Sequence, residues 1–196
     1  DSILLFKINP RSGWECINSQ GFRDTREYDY LKKRTIFRII CIGDSTTFGI
    51  GSRLSDSYPA ILEKMLNEDA ESSNFEVLNF GVPGYTSYQG LKLLQTQVIN
   101  YAPDLVVVNF LWNDSHKVFP GGKKDKAQSM ASPIIIGALN IFQRFIFFQF
   151  LEKAIYKIEW EFSNKIKKTP WQTRVSLEDY LENYREMISL LKERES

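Results

Sequence analysis

Three short apolar runs alternate along the chain with helix-type patterns, and this alternation most restricts the fold. The runs lie at residues 37–42, 75–79 and 105–110. Apolar residues recur at three- and four-residue steps from Tyr58 to Leu66 and again from Leu91 to Val98, as in amphipathic helices. Neighbouring parallel strands need a crossover connection, which a helix supplies. The sequence therefore predicts an α/β fold with a parallel sheet and helices on both faces.

Composition narrows the classes of partner and cofactor. The 196 residues, 43% of them hydrophobic, suit one domain with a sizeable core, and the net charge of +1 gives no reason to expect nucleic acid as a partner. The single histidine and the two separated cysteines, Cys16 and Cys41, do not have the spacing of a zinc site. We therefore predict no metal and no cofactor, and interpret Cys41 as a buried thiol.

The predicted organisation is an N-terminal extension at 1–35 and an α/β domain at 36–196 that carries a helical insertion at about 117–173. Within the insertion, residues 133–151 are apolar on nearly every side. Four polar residues interrupt them, which disfavours a bilayer-spanning helix. Two readings stay open: a helix that covers the sheet or closes over the site, and a segment that contacts a membrane surface or a partner.

Polar residues follow each predicted strand. Gly43-Asp44-Ser45 follows the first, Asn79 and then Gly84 the second, and Asn113-Asp114 the third. Because ligands of open parallel sheets bind beyond the carboxyl ends of the strands, we expect these residues to share one edge. Ester hydrolysis needs a nucleophile and donors for the developing oxyanion. A serine, a glycine amide and an asparagine amide would suffice.

These blocks, GDS at 43–45, NFGVPG at 79–84 and ND at 113–114, resemble in order and spacing the first three motif blocks of the SGNH, or GDSL-type, hydrolases. The similarity reaches from about Asn18, in the stretch NSQGFRD, to the final helix, and the insertion is its least similar part. The resemblance implies a three-layer α/β/α fold with a flavodoxin-like sheet. It also implies a serine ester hydrolase acting on a small-molecule ester, either a lipid or an acylated carbohydrate.

The resemblance assigns roles to three residues. Ser45 would be the nucleophile, and its amide, the Gly84 amide and the Asn113 side chain would form the oxyanion hole. The alternative interpretation makes all three ordinary turn residues. Gly81 lies close to Gly84 in the sequence, and either glycine could serve the turn.

Three other residues near these blocks receive different interpretations. Asp44 and Asp114 are expected to cap or brace neighbouring loops rather than to act as acid or base. Leu111 stands where the family usually has the glycine of Gly-x-Asn-Asp, and its larger side chain could reshape the pocket floor.

The family's fourth block, Asp-x-x-His, supplies the base and its orienting carboxylate and has no match in this sequence. The only histidine, His116, has no carboxylate three residues before it, so an exposed loop histidine is the simpler interpretation. We therefore predict that the chain is a fragment with an incomplete sheet, lacking the last strand, helix and Asp-x-x-His loop. Alone, it should retain only the weak acceleration that an oxyanion hole provides.

Other functions also stay open. An O-acyltransferase would share the same edge chemistry, and a non-catalytic binding module would keep the pocket without a base. Gly49-Ile50-Gly51 suggests a nucleotide-binding loop, but Leu54 stands where the third glycine would be. The two glycines are more typical of a turn that leads toward the Tyr58 helix.

Overall fold

The computed structural model describes residues 16–68, 74–118, 125–126 and 172–193, which are built around a three-stranded parallel sheet. Its strands are β1 (Ile36–Gly43), β2 (Asn74–Gly81) and β3 (Leu105–Asn109). The central strand β1 pairs in parallel with both of the others, so the spatial order is β2-β1-β3. The predicted parallel α/β sheet is confirmed.

Five helices and a short hairpin-like pair complete the described elements. The helices are α1 (Ser45–Phe48), α2 (Tyr58–Glu68), α3 (Ser87–Thr96), α4 (Trp112–Ser115) and α5 (Leu177–Lys192). Strands β4 (Lys117–Val118) and β5 (Gln172–Thr173) pair antiparallel at the two ends of the predicted insertion. Turns of 3₁₀ helix lie at Leu54–Asp56 and Val98–Tyr101.

Apolar side chains cover both faces of the sheet because successive strand residues point to opposite sides. On one face, Ile40, Ile42, Leu78 and Phe80 form a fully buried cluster with residues of α3 and α5. On the other face, Ile39, Cys41 and Val77 pack with Tyr58, Leu62 and Leu66 of α2. Helices therefore lie on both sides of the sheet, and the three-layer α/β/α expectation is confirmed.

The apolar periodicity of α2 predicted a wider buried face than the structure has. Tyr58, Leu62 and Leu66, four residues apart, pack against the sheet. Ile61 and Met65, each one position earlier, are 43% and 59% exposed. The row of side chains at 58, 62 and 66 contacts the sheet, whereas the neighbouring row at 61 and 65 lies at the margin of this contact.

The N-terminal segment contributes to the core. The Phe22 ring stacks on Phe80 with 3.7 Å between ring centroids, and Phe22 and Tyr28 are both buried. The Asn18 side chain orders the segment, accepting from the Phe22 amide at 2.9 Å and donating to the Arg26 carbonyl at 2.8 Å. Part of the region predicted as an extension thus packs directly on the sheet.

The insertion falls largely outside the described residues, including the apolar segment 133–151. Within the described ranges, no helix is long and apolar enough to cross a membrane. The described ends of the insertion are held together by β4 and β5, whose pairing joins Lys117 to Thr173 and Val118 to Gln172.

Candidate active site

Ser45 begins a short helix directly after the central strand. The Asp44 side chain caps this helix by accepting a hydrogen bond from the Thr46 amide at 2.8 Å, so the predicted capping role is what the structure shows. The helix ends after one turn at Gly49, whose φ of +82° lies in the left-handed region that favours glycine. Gly51 also has a positive φ of +79°, in agreement with the predicted turn.

Two glycines let the loops of this edge approach each other closely. A Cβ on Gly43 would lie 2.0 Å from the Thr47 hydroxyl oxygen, and a Cβ on Gly81 would lie 2.2 Å from the Phe48 backbone nitrogen. The Ser45 helix therefore rests on the ends of β1 and β2 at contact distances that only glycine permits.

Gly84 makes the turn after β2. Its φ is +83°, whereas the φ of Gly81 is not positive, so the two glycines that the sequence could not separate have different tasks. Gly81 allows the close approach, and its amide donates to the Asn79 side chain at 3.0 Å. The next residues lead into α3, where Thr86 is the N-cap and forms a capping box with Gln89.

Asn113 connects the loops of the first two blocks. It lies in α4, is 8% exposed, and donates through Nδ2 to the Tyr85 carbonyl at 2.9 Å. The same nitrogen lies 3.5 Å from Asp44 Oδ2. The structure thus brings the neighbours of Ser45 and Gly84 into contact with one buried amide, as the shared-edge argument predicted.

Asp114 braces the start of α3. Its carboxylate accepts from the Ser87 amide at 3.0 and 3.1 Å and also from the Ser87 hydroxyl, which in turn accepts from Asn183 at 2.9 Å. Burial raises the pKa of the Asp114 carboxyl. The predicted bracing role is confirmed by these contacts.

Three side chains beside Asn113 reach outward. Leu111, which replaces the family's glycine, and Trp112 are 65% and 70% exposed. The exposed His116 ring lies 6.0 Å from the Trp112 ring, measured between centroids. The His116 backbone joins the turn, because its amide donates to the Asn113 carbonyl at 3.3 Å.

Arg174 contacts the Gly84 loop, and sequence reasoning missed it. Its guanidinium donates to the Gly84 carbonyl at 2.9 Å and binds Asp125 through both carboxylate oxygens at 3.1 and 2.9 Å. Asp125 is 1% exposed and also accepts from the Thr86 hydroxyl at 2.7 Å. Residues 125 and 174 lie far apart in the chain, so no local pattern indicated this pair.

Arg23 contacts the turn on the other side of Ser45. It donates to the carbonyl of Phe48, the last residue of α1, and to the carbonyls of Gly49 and Ser52 in the turn that follows. A Cβ on Gly49 would lie 2.7 Å from Arg23 Nη1, so the contact requires this glycine. The family similarity at NSQGFRD includes Arg23, but it did not indicate that Arg23 contacts the turn after Ser45.

No metal cluster is present in the part of the chain that the structure describes. Among those residues, no three His, Cys, Asp or Glu side chains are grouped so that they could hold a metal ion. The polar groups at the sheet edge include a hydroxyl, backbone amides and a carboxamide, all of which can donate hydrogen bonds to an acceptor oxygen.

The parallel sheet, its covering helices and the polar edge after the strands define a three-layer α/β/α protein of the SGNH hydrolase type. The chain belongs to the GDSL-like Lipase/Acylhydrolase family, whose family model matches residues 41–196. The match includes all three blocks at the sheet edge, and the resemblance drawn from the sequence is confirmed.

Individual relatives match smaller parts of the chain. An uncharacterized protein of Mycoplasma pneumoniae is 29% identical over 111 residues, which are 56% of this chain and 12% of that protein. The crystal structure of TesA is 31% identical over 40% of this chain and 42% of its own, with a TM-score of 0.37. AlinE4, described as an SGNH-hydrolase family esterase, is 34% identical over 39% of this chain and 41% of its own, with a TM-score of 0.33. The matches thus span less than half of each of these relatives.

Proposed function

We propose that the protein containing this chain is a serine ester hydrolase that acts through Ser45. The observation that carries the proposal is the position of Asn113, whose buried amide contacts both the residue before Ser45 and the residue after Gly84. A hydroxyl, a glycine turn and an amide joined in this way suit a reaction in which negative charge develops on a substrate oxygen. Membership of the GDSL-like Lipase/Acylhydrolase family supports the same class of reaction.

In the proposed reaction, Ser45 Oγ attacks the ester carbonyl carbon and loses its proton to a general base. The carbonyl electron pair moves to the oxygen, which would accept hydrogen bonds from the Ser45 and Gly84 amides and from Asn113 Nδ2. This nitrogen carries two hydrogens. One is donated to the Tyr85 carbonyl at 2.9 Å, which holds the amide in place, and the other faces Asp44 Oδ2 at a long 3.5 Å, a contact that the substrate oxygen would replace.

We propose that the general base comes from the parent protein outside these 196 residues. The sequence contains one histidine, His116, which is exposed and lies beside the Trp112 ring. No carboxylate stands three residues before it, as the family's Asp-x-x-His block would require. This chain alone should therefore turn over esters very slowly. The substrate would be a small-molecule ester, either a lipid or an acylated carbohydrate, and residues 133–151 remain a proposed membrane-surface contact.

The test is Ser45→Ala in the full-length protein, assayed with p-nitrophenyl acetate and butyrate. We expect kcat to fall at least about 10³-fold, because loss of the nucleophile leaves only binding and the oxyanion hole. Ser55→Ala is the matched control, since Ser55 is an exposed serine whose hydroxyl donates to the neighbouring Asp56 carboxylate at 2.9 Å. Full turnover in Ser45→Ala would refute the nucleophile assignment.

A further inference from the structure

Gly84 is the most flexible residue of the proposed oxyanion hole. It lies at the centre of a four-residue turn with Pro83, and the Tyr85 amide closes this turn by donating to the Val82 carbonyl at 3.1 Å. The Gly84 φ of +83° fits the third position of a type II turn, which favours glycine. Because glycine has the widest backbone freedom of any residue, the direction of the Gly84 amide depends on what holds this turn from outside.

Arg174 holds the turn at the Gly84 carbonyl. Its Nη1 donates to this oxygen at 2.9 Å. The peptide group between Gly84 and Tyr85 is therefore fixed at both polar atoms, because its N–H bonds to the Val82 carbonyl and its C=O bonds to Arg174. Within the described ranges, the Gly84 amide donates to no other protein group, so it is available to a substrate oxygen.

The Arg174 guanidinium is itself fixed by the start of α3 and by Asp125. The Asp125 carboxylate, on a residue that is 1% exposed, accepts from Nε at 3.1 Å and from Nη2 at 2.9 Å. Such a two-bond fork sets the plane of the guanidinium as well as its position. Asp125 also accepts from the Thr86 hydroxyl at 2.7 Å, and Nη2 also donates to the Gln89 side chain at 3.3 Å. With the plane set in this way, Nη1 faces the Gly84 carbonyl.

We infer that Arg174 is a positioning residue for the proposed ester hydrolysis, and that it keeps the Gly84 amide directed at the substrate oxygen. Because this role requires the Gly84 amide to be an oxyanion donor, it rests on the proposed function. Arg174 bonds to the Gly84 carbonyl rather than to the reacting atoms, so it acts through the backbone. An oxyanion hole is effective because its donors are oriented before charge develops, and loss of one donor lowers kcat about 10²- to 10³-fold.

The test compares two substrates of the full-length protein, p-nitrophenyl acetate and p-nitrophenyl thionoacetate, in which sulfur replaces the carbonyl oxygen. Sulfur accepts hydrogen bonds only weakly, so the thionoester gains little from an oxyanion hole. The ratio of kcat/KM for the acetate to kcat/KM for the thionoester therefore measures the hole, and the fraction of folded enzyme cancels from this ratio.

Arg174→Lys is the first variant, because lysine keeps a cation beside Asp125 but lacks the fork that bonds to Asp125 and Gly84 together. We expect kcat/KM for the acetate to fall at least about tenfold, and the ratio to fall by a similar factor, because the Gly84 donor is misdirected rather than removed. A purely structural role would lower kcat/KM for both substrates together and leave the ratio at its native value.

Arg174→Met with Asp125→Asn is the second variant, which lacks the Gly84 contact without leaving a buried charge and serves if Arg174→Lys fails to fold. Arg185→Lys makes the same substitution at an exposed arginine of α5 and should keep both the native kcat/KM and the native ratio. A native ratio in either folded Arg174 variant would overturn the positioning role. If Ser45→Ala is inactive in the same assay, that result leaves the proposed function intact, whereas full turnover in Ser45→Ala would overturn both.

Discussion

Replacing Arg174 by methionine should strongly destabilise the protein, because it removes the partner of a buried carboxylate. The Asp125 side chain is 2% exposed and that of Arg174 is 22% exposed, with 2.9 Å between Nη2 and Oδ2. Methionine keeps much of the aliphatic stem but leaves Asp125 with the Thr86 hydroxyl as its remaining side-chain donor among the described residues. Breaking a buried ion pair in this way costs about 3–5 kcal/mol.

Urea unfolding monitored by circular dichroism measures this cost directly. For a domain of this size, an m-value of about 2 kcal/mol/M converts a 4 kcal/mol loss into a midpoint lower by about 2 M. Since total stabilities are about 5–15 kcal/mol, Arg174→Met should remain folded in water if the native protein lies in the upper part of this range. A midpoint shift below about 0.5 M would refute the buried-charge argument.

A double variant separates the buried charge from the lost contacts. Arg174→Met with Asp125→Asn should recover most of the stability, because asparagine is neutral and still accepts a hydrogen bond from Thr86. A deficit of about 1 kcal/mol should remain from the lost hydrogen bond to the Gly84 carbonyl. If the double variant were as unstable as Arg174→Met, uncompensated charge could not be the cause. Arg53→Met, which breaks an exposed pair with Asp56, is the control and should leave the midpoint unchanged.

Two further predictions concern titratable side chains. Burial raises the pKa of the Cys41 thiol to about 11, so iodoacetamide at pH 8 should alkylate the half-exposed Cys16 and reach Cys41 only on unfolding; fast native alkylation of Cys41 would contradict its burial. Burial alone would raise the pKa of Asp24, but hydrogen bonds from Arg26 and Tyr28 lower it overall. A lowered carboxyl pKa stabilises the fold above the group's ordinary pKa of 3.8, and this stabilisation is lost as the pH falls through the lower pKa of the folded state. Asp24→Asn should therefore flatten the decline of the urea midpoint between about pH 5 and pH 2, and an unchanged decline would exclude this contribution.

The sheet and its carboxyl edge could be predicted because their signals are local. Each strand is a short, mainly apolar run, and the polar residues that follow it, such as Asp44 and Asn113, occupy the positions that a parallel sheet brings together. The capping role of Asp44 also followed from a short-range pattern, since its side chain accepts from the Thr46 amide at 2.8 Å.

The contacts that hold this edge from outside the three blocks could not be predicted. Arg23 reaches the Ser45 turn across 25 residues of sequence, and Arg174 reaches Gly84 across 90. Arginines outside the helices and strands show no periodicity or spacing that would distinguish a side chain bound to the fold from one exposed to solvent. Their partners here are backbone carbonyls, which every residue carries, so the sequence contains no complementary signal.

The Arg174–Asp125 pair also explains how a long insertion can be compatible with an ordered Gly84 loop. The pair and the β4–β5 ladder close the insertion at its base, and Arg174 connects this base to the Gly84 carbonyl. The entropic cost of closing a flexible loop grows only logarithmically, by about 0.6 kcal/mol for each doubling of its length. Stability therefore places little restriction on what lies between residues 126 and 173, provided that both ends of the insertion keep these contacts.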